Sequence, residues 1–465
     1  MRGKRLVWTL ACGVLASGML LAGCGGKSSG GESGGAQASV QPSAQPSAEK
    51  AEPFTITLRH TQIKDTQKKR LAMLQDVVKA TENEVPGLKI ELDGVEDKVN
   101  RFEKLRAEMA AGNPPQIFDL FGGTDTRDYV KAGRLLDVTP ILEELGLKDK
   151  FYSLAEFTVD GKVYGLPMAG YVEGLYYNKK IFADNGVQPP KTWDELLKAA
   201  ETFKSKGITP FALASKDAWV INMMMNTMWV YTAGPTSVED IVAGKKKWND
   251  PDMLDAFKKY ETLVKKGYFQ EGNLALAYAE QQNKFAAGEA AMVFDGSWAN
   301  TPLTDPEKSK VANDVGFMLF PALGGPGDGY INGGWSNGYG FSVKVKDNPR
   351  ELAAVKAFIK NMYNEQMQKR QLLEEGMLPA LKLSDTSGVK PIIAEILSVS
   401  SAAKGTFPAF DSIVPPKVRE ALERGMQELL GGRTTPEKLL ENLQKVQEEA
   451  NRGSCRSLVG SADAA

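Results

Sequence analysis

Histidine is almost absent from this sequence: His60 is the only one in 465 residues. Ser-His-Asp and Cys-His arrangements have that single imidazole to draw on, and an H-E-x-x-H zinc site needs two. Cysteine is nearly as scarce. Of the three cysteines, Cys12 and Cys24 lie in the leading segment, which leaves Cys455 alone in the rest of the chain. No disulfide can close within the body, and a thiol-rich metal site is excluded. Neither sign of charge is in excess: 57 basic and 58 acidic residues give a net charge of −1. That balance supplies no basic field, so nucleic acid is not an expected partner. Beyond the leading segment, no uncharged apolar run reaches the length a bilayer requires. Nothing calls for a cofactor. A carboxylate pair would still support glycoside hydrolysis, so an enzyme is disfavoured without being eliminated.

What is present begins with an address. Arg2, Lys4 and Arg5 open the chain, and Leu6 to Leu21 follow without a charge. Leu21-Ala22-Gly23-Cys24 fits the lipobox of secreted bacterial lipoproteins, in which small residues admit a peptidase and the cysteine thiol carries the lipid. The expectation is a signal peptide over residues 1–23 and lipidation at Cys24; the alternative is an uncleaved signal anchor. From Gly25 to about Pro53 the residues are mainly Gly, Ser, Ala, Gln, Pro and Lys. Such a composition cannot repay the entropy of ordering, so 24–53 reads as a disordered tether, with a reach of about 30 Å. The setting this implies is the outer face of the cytoplasmic membrane of a single-membrane bacterium, with a periplasmic setting left open. Roughly 400 residues remain, enough for two domains of ordinary size. The tail over residues 452–465, which contains Cys455, shows no packing pattern and reads as disordered.

The body alternates strand and helix signals. Phe54–Leu58, Leu88–Leu92 and Gln116–Phe121 read as strands; Lys68–Asn83 and Asp97–Ala111 read as helices between them. Further strands are expected at Val163–Met168, Gly174–Tyr177, Ala290–Phe294, Gly316–Phe320 and Gly340–Val345. Helices are expected at Trp193–Lys206, capped by Thr192, and at Ala218–Tyr231, Asp252–Lys266, Tyr278–Ala287, Arg350–Tyr363, Gln366–Glu375, Val418–Leu430 and Pro436–Asn451. This alternation predicts an α/β fold built on mostly parallel sheets flanked by helices. Ligands in such sheets sit beyond the carboxyl ends of strands, which makes Arg59–Asp65 and Phe121–Asp125 the first candidate site loops. The Gly-rich run Gly324–Gly338 leads into a strand, whereas a phosphate cradle opens a helix, so it is not read as a phosphate loop.

Several motifs then carry a family likeness. They are Leu105-x4-Ala110-x-Gly112-Asn113-Pro114-Pro115, Gly161-Lys162-Val163-Tyr164-Gly165-Leu166-Pro167, Leu175-Tyr176-Tyr177-Asn178-Lys179-Lys180 and Pro189-Pro190-Lys191-Thr192-Trp193-Asp194-Glu195-Leu196. Phe285-Ala286-Ala287-Gly288-Glu289-Ala290-Ala291-Met292 follows and leads into Gly296-Ser297-Trp298. In this order the chain resembles extracellular solute-binding proteins of the sugar ABC-importer class, the group that contains maltodextrin-binding proteins, from about Phe54 to Asn451. The resemblance implies a two-lobed periplasmic-binding-protein fold of class II type, with a ligand cleft between the lobes. It places crossings between them near Gly170–Gly174, Gly333–Gly338 and Gly376–Ala380. One lobe would hold 54–169 and 338–377, and the other 170–337 and 378–451. It also implies a carbohydrate ligand, ABC permease subunits as partners, and a monomer attached to the membrane through its lipid alone.

A sugar presents flat C–H faces and a rim of hydroxyls, so its site needs aromatic plates and planar polar groups. Trp298, at a strand end where the family has a stacking aromatic, is the first candidate. Trp335, in Gly333-Gly334-Trp335-Ser336-Asn337-Gly338, and Trp219, on the Met-rich helix, are the others. Trp229 reads as core and Trp193 as a helix-start residue. Asp295 and Glu173, with Tyr171 beside it, are the candidate hydroxyl acceptors of the second lobe. Gln62, Asp65 and Asp125 are those of the first. His60 reads equally as a structural histidine. The Asp295 and Glu173 carboxylates are also the pair a secreted carbohydrate-active enzyme would use, and a binding protein reporting to a sensor kinase is a further alternative.

Overall fold

The computed structural model describes residues 51–460. The expected leader, Cys24 and all but the last residues of the tether lie outside the described residues. Within them, no helix is long and apolar enough to cross a membrane.

The chain builds two main sheets. The first runs in the order Leu88–Gly94, Phe54–His60, Ile117–Phe121, Asn337–Phe341, Gly165–Pro167. The second runs Thr406–Phe407, Ile331–Gly334, Tyr171–Asn178, Ala290–Gly296, Thr209–Ala212, with Val315–Met318 also paired to Tyr171–Asn178. The α/β class holds, but the sheets are mixed and not mostly parallel. Phe54–His60 is parallel to both its neighbours, as helix-linked strands must be. Asn337–Phe341 arrives from the second sheet and lies antiparallel to Ile117–Phe121 and to Gly165–Pro167. Tyr171–Asn178 is likewise antiparallel to Ala290–Gly296 and to Ile331–Gly334. Strands that enter from the other half have no crossover helix to fix their direction, which is why alternation of strand and helix signals did not reveal them.

Element boundaries differ where glycine or local polarity hid the pattern. The Gly-rich run contains the strand Ile331–Gly334, and the strand expected to reach Val345 ends at Phe341 and passes into a 3₁₀ segment, Val343–Asp347. The last helix continues to Gly460, past the stop expected at Asn451. The helix expected over Asp97–Ala111 is interrupted by a π-helical turn, Asn100–Lys104. Such a turn inserts one residue into the helical repeat and re-aims the side chains on it; here those side chains are Asn100 and Arg101.

The core of the second half surrounds the Met-rich helix Trp219–Ala233, which is buried at every position from Val220 to Thr232. A helix apolar on all sides belongs inside a domain. Trp229 is wedged among Trp248, Phe257 and Phe410, so it is a core residue as expected. In the first half, the aliphatic face of Lys68–Glu84 packs with Pro349–Met362 over the sheet.

Glycines cluster at the passages between halves for want of space more than for dihedral freedom. Gly376 alone of those segments has a left-handed backbone, with φ +67°. A Cβ on Gly338 would lie 2.1 Å from the Leu166 carbonyl oxygen of the neighbouring strand. Gly338→Ala is therefore expected to lower unfolding stability by about 1–3 kcal/mol through overpacking, read as a shifted urea midpoint; an unchanged midpoint would show that the strands move apart at no cost.

Candidate ligand site

The strand Tyr171–Asn178 begins where the chain passes between halves, and its alternation sorts two sets of side chains. Tyr171, Glu173 and Leu175 point to one face; Val172 and Tyr176 point to the other. Residues directly opposite in neighbouring strands share a face. Glu173 is opposite Asn332 on one side and Gly296 on the other. Gly296 has no side chain, and the space its Cβ would take is filled by the Trp298 ring, whose atoms lie 2.3 Å from that position. Trp298 thus folds back over its own strand and lies beside Glu173. Its ring centroid is 5.6 Å from that of Tyr171. Four side chains, Tyr171, Glu173 and Asn332 from two strands and Trp298 from the turn after a third, are brought to one face.

The helix Trp219–Ala233 covers this face and directs Trp219, Asn222 and Asn226 along one stripe, spaced three and four apart. Asn226 donates to the Pro408 carbonyl at 3.4 Å, next to Phe407, which is in register with Asn332. Several buried polar atoms here have no partner within the described residues: Glu173 Oε2, and both side-chain amide atoms of Asn222 and Asn332. Buried groups of this kind are ordinarily hydrogen-bonded. Burial holds the Glu173 carboxyl well above the usual carboxylate range, helped by the charges of Asp411 and Asp295. The protonated form is thereby favoured, and a carboxyl in that form offers one donor along with its acceptors.

Asp295 is placed differently from Glu173. It is fully buried, and its Oδ1 accepts from Tyr278 Oη at 2.6 Å and from the Gly296 amide at 2.8 Å. Its Oδ2 accepts from Gln281 at 3.4 Å and Gln282 at 3.3 Å. With four donors around it, Asp295 faces the protein and not the cleft. Its pKa is pushed up to about 6 by burial, with the hydrogen bonds from Tyr278, Gly296 and the two glutamines opposing.

The remaining candidates separate. Trp219 is half-buried and packs against the Tyr278 ring at 4.7 Å between centroids. Trp335 is not brought to Trp298. Its ring occupies the Cβ side of Gly170, with Nε1 2.5 Å from where that Cβ would lie. Gly170 and Tyr171 project to opposite faces, so the passage separates the two tryptophans. Trp335 donates through Nε1 to the Pro379 carbonyl at 3.2 Å and stacks on Tyr152 at 5.6 Å, knitting together the passage segments around Gly170, Trp335 and Pro379. In the first half, Gln62 is buried with Oε1 unpartnered. Asp65 is exposed, and its side chain pairs with Lys68 at 2.9 Å, the ordinary solvated first-turn arrangement. Asp125 is buried and tied to Arg101 at 2.7 Å, which leaves it little to offer a ligand. His60 is buried, and its Nδ1 accepts from the Gln62 amide at 3.2 Å; burial pulls its pKa down.

Residues not singled out from sequence complete the picture. Arg101, on the π-helical turn, reaches Asp125 and also Asp411 of the second half at 2.9 Å, with its guanidinium 3.4 Å from the Phe121 ring centroid. Burial alone would depress its pKa, but Asp411 and Asp125 hold it higher. Lys98 likewise pairs with Asp217, and Asp217 in turn accepts from the Tyr278 amide at 2.9 Å. Nearby, a small polar cavity is lined by Asp97, Asn100, Arg101, Asp119, Asp125 and Asn337. Burial and the neighbouring Asp97 push Asp119 up to about 7. Among the described residues no group of acidic, histidine or cysteine side chains has the clustering a metal ion needs. A π turn and a long-range tyrosine contact leave no local sequence signal; the i, i+3 spacing of Trp219 and Asn222 was the one legible hint.

Residues 65–369 match the bacterial extracellular solute-binding proteins, and the chain belongs to that family. A structure of a chitin oligosaccharide binding protein is 61% identical, with a TM-score of 0.83, and the match covers 86% of this chain and all of that one. A structure described in terms of xylan utilization by a thermophilic Caldanaerobius polysaccharolyticus is 27% identical with a TM-score of 0.77, over 84% of this chain and 99% of that one. A multiple sugar-binding protein of Streptococcus mutans is 26% identical over 323 residues, 68% of this chain and 74% of its own. An ABC transporter extracellular-binding protein of Pyrococcus horikoshii is 29% identical over 231 residues, and the match spans about half of its length. The two-lobed fold expected from the motifs is the fold of these proteins.

The raised Asp295 pKa has a thermodynamic consequence. Between about pH 4 and 6 the unfolded chain ionises this group while the folded protein keeps its proton, so rising pH costs stability across that window. The unfolding free energy of the wild type minus that of Asp295→Asn is expected to fall by roughly 2 kcal/mol from pH 4 to 6 and to level off above about pH 7. Denaturant titrations at each pH check this, and a flat difference would mean that Asp295 is ionised at no cost.

Proposed function

We propose that the protein captures a chitin-type oligosaccharide for an ABC importer, closing its two halves around the ligand and releasing it to membrane permease subunits. The observation that carries this reading is the convergence of Tyr171, Glu173, Trp298 and Asn332 on one sheet face, with unpartnered amide and carboxyl atoms beside an aromatic plate. Pyranose rings stack on such plates, and their hydroxyl and acetamido groups pair with such polar atoms. The chemical class of the sugar rests on the 61%-identical chitin oligosaccharide binding protein. The lobes in this proposal are 54–169 with 338–377, and 170–337 with 378–451. Arg101–Asp411 and Lys98–Asp217 span them in the closed arrangement, and a ligand that touches both walls favours closure.

In this reading the protein is not an enzyme. A glycosidase needs two carboxyl groups facing the scissile bond. Asp295 is surrounded by protein donors, which argues against the Asp295–Glu173 pair in that role. Cys24 carries the lipid, and the tether holds the folded body outside the cytoplasmic membrane. Trp335 acts on the passages between lobes and not as a stacking plate.

Calorimetry with a tetramer of β-1,4-linked N-acetylglucosamine tests the ligand class. Wild-type protein is expected to bind it, and Trp298→Ala to weaken binding by about tenfold or more, in line with the loss of a buried aromatic contact. Undiminished affinity in that variant would remove Trp298 from the site; no binding by the wild type would remove the ligand class. Separately, Cys24→Ser is expected to move the protein from the membrane fraction to the medium, and unaltered membrane partition would overturn the anchor.

A further inference from the structure

We infer that Tyr278 is a positioning residue that fixes the two tryptophans of the site, Trp298 through its hydroxyl and Trp219 through its ring. The inference rests on the binding reading above, and it names the residue that sets the geometry of that site.

The hydroxyl of Tyr278 has one proton to give and two lone pairs to fill, and all three positions are used inside the protein. It accepts from Trp298 Nε1 at 2.6 Å and from Gln282 Nε2 at 2.7 Å. It donates to Asp295 Oδ1 at 2.6 Å. Nothing is left for a ligand, so Tyr278 does not touch one through this group. Asp295 is held by the Gly296 amide, Gln281 and Gln282, and the chain Trp298→Tyr278→Asp295 ends on a group that does not move. Trp298 leans over Gly296, where any side chain would displace it. The ring is therefore pinned at its nitrogen by one contact and at its face by a missing Cβ. Two consequences follow for recognition. The indole N–H is already spent, so Trp298 offers a ligand only its ring face. Trp219, 4.7 Å from the Tyr278 ring between centroids, is braced on the same tyrosine, which gives a longer ligand two plates held by one support.

The test is a double-mutant cycle read with the N-acetylglucosamine tetramer. Tyr278→Phe keeps the ring and removes only the hydroxyl. It is expected to raise Kd about threefold to tenfold in the wild-type background, the range for one lost hydrogen bond, and to have almost no effect in the W298A background. An equal loss in both backgrounds would mean that Tyr278 acts directly or through general structure, and would overturn the proposal. A second readout needs no ligand. With the indole nitrogens labelled, the Trp298 N–H resonance, assigned by its loss in Trp298→Phe, is expected to shift and to exchange faster in Tyr278→Phe; an unmoved resonance is the contrary result. Should Tyr278→Phe fail to fold, Asp295→Asn tests the chain from its far end, because weakening the last acceptor must also move the Trp298 resonance; no movement there overturns the relay. If Trp298→Ala itself binds the tetramer like wild type, the stacking reading fails while the resonance still decides the relay.

Discussion

The strand Tyr171–Asn178 serves three demands with a single two-residue alternation, and the rest of the molecule is arranged around that constraint. It opens at a passage between the halves, it pairs with three strands of the second sheet, and its first two odd-numbered positions, Tyr171 and Glu173, face the proposed site. A slip of one residue would send Glu173 into the Val172 and Tyr176 core and bring those apolar groups to the site. The register is held from both faces: Tyr176 donates to Asn300 at 2.7 Å beneath the sheet, while Leu175 sits in the core beside the Met-rich helix above it. This explains why glycines crowd the flanking strands. Gly296, Gly333 and Gly334 are opposite or adjacent to this strand, and side chains there would meet Trp298, Tyr171 or Glu156.

Electrostatics around the site follow from the same economy of space. Arg101 and Asp411 come from different halves and are largely removed from water. Desolvating both groups would be unfavourable for one isolated pair. Asp125 supplies a second anion and the Phe121 ring a cation–π contact, and together these keep the guanidinium charged. Among the described residues no cation pairs with Glu173, and burial raises its pKa. The ion pairs join Arg101 to Asp125 and Asp411, while Glu173 joins the amides that have no partner among the described residues.

How far this was legible from sequence depended on the range of the interaction. Trp298 stood out because it follows a β-rich run through Asp295-Gly296-Ser297, and Glu173 and Tyr171 because the family resemblance put a crossing at Gly170–Gly174. Trp335 looked similar, but its ring lies across Gly170 and its Nε1 is committed to the Pro379 carbonyl, contacts its Gly-rich surroundings did not reveal. Asp295 had the right position and the wrong direction, because it is opposite Gly174 in the strand pairing and so projects to the other face from Glu173. Asn332 was hidden in a run that glycine made look like a loop. Arg101 depends on a π-helical turn, and Asp411 on a segment with no periodic pattern. Local rules fixed the elements, while contacts far apart in the chain decided which face each side chain took.

The consequence of the proposed site for selectivity is that stacking and hydrogen bonding are assigned to different residues. A tryptophan free to rotate can offer either its face or its N–H, and a site built on one discriminates poorly between ligands that need each. With the N–H of Trp298 committed to Tyr278, that ring reads shape alone. Polar reading then falls to Glu173, Asn222 and Asn332, whose orphaned atoms are all buried. A ligand that stacks but leaves them unpaired pays the desolvation of each, typically 1–3 kcal/mol per group. In the proposed site, discrimination among sugars of the same outline therefore resides in the amide and carboxyl row and not in the aromatic plate.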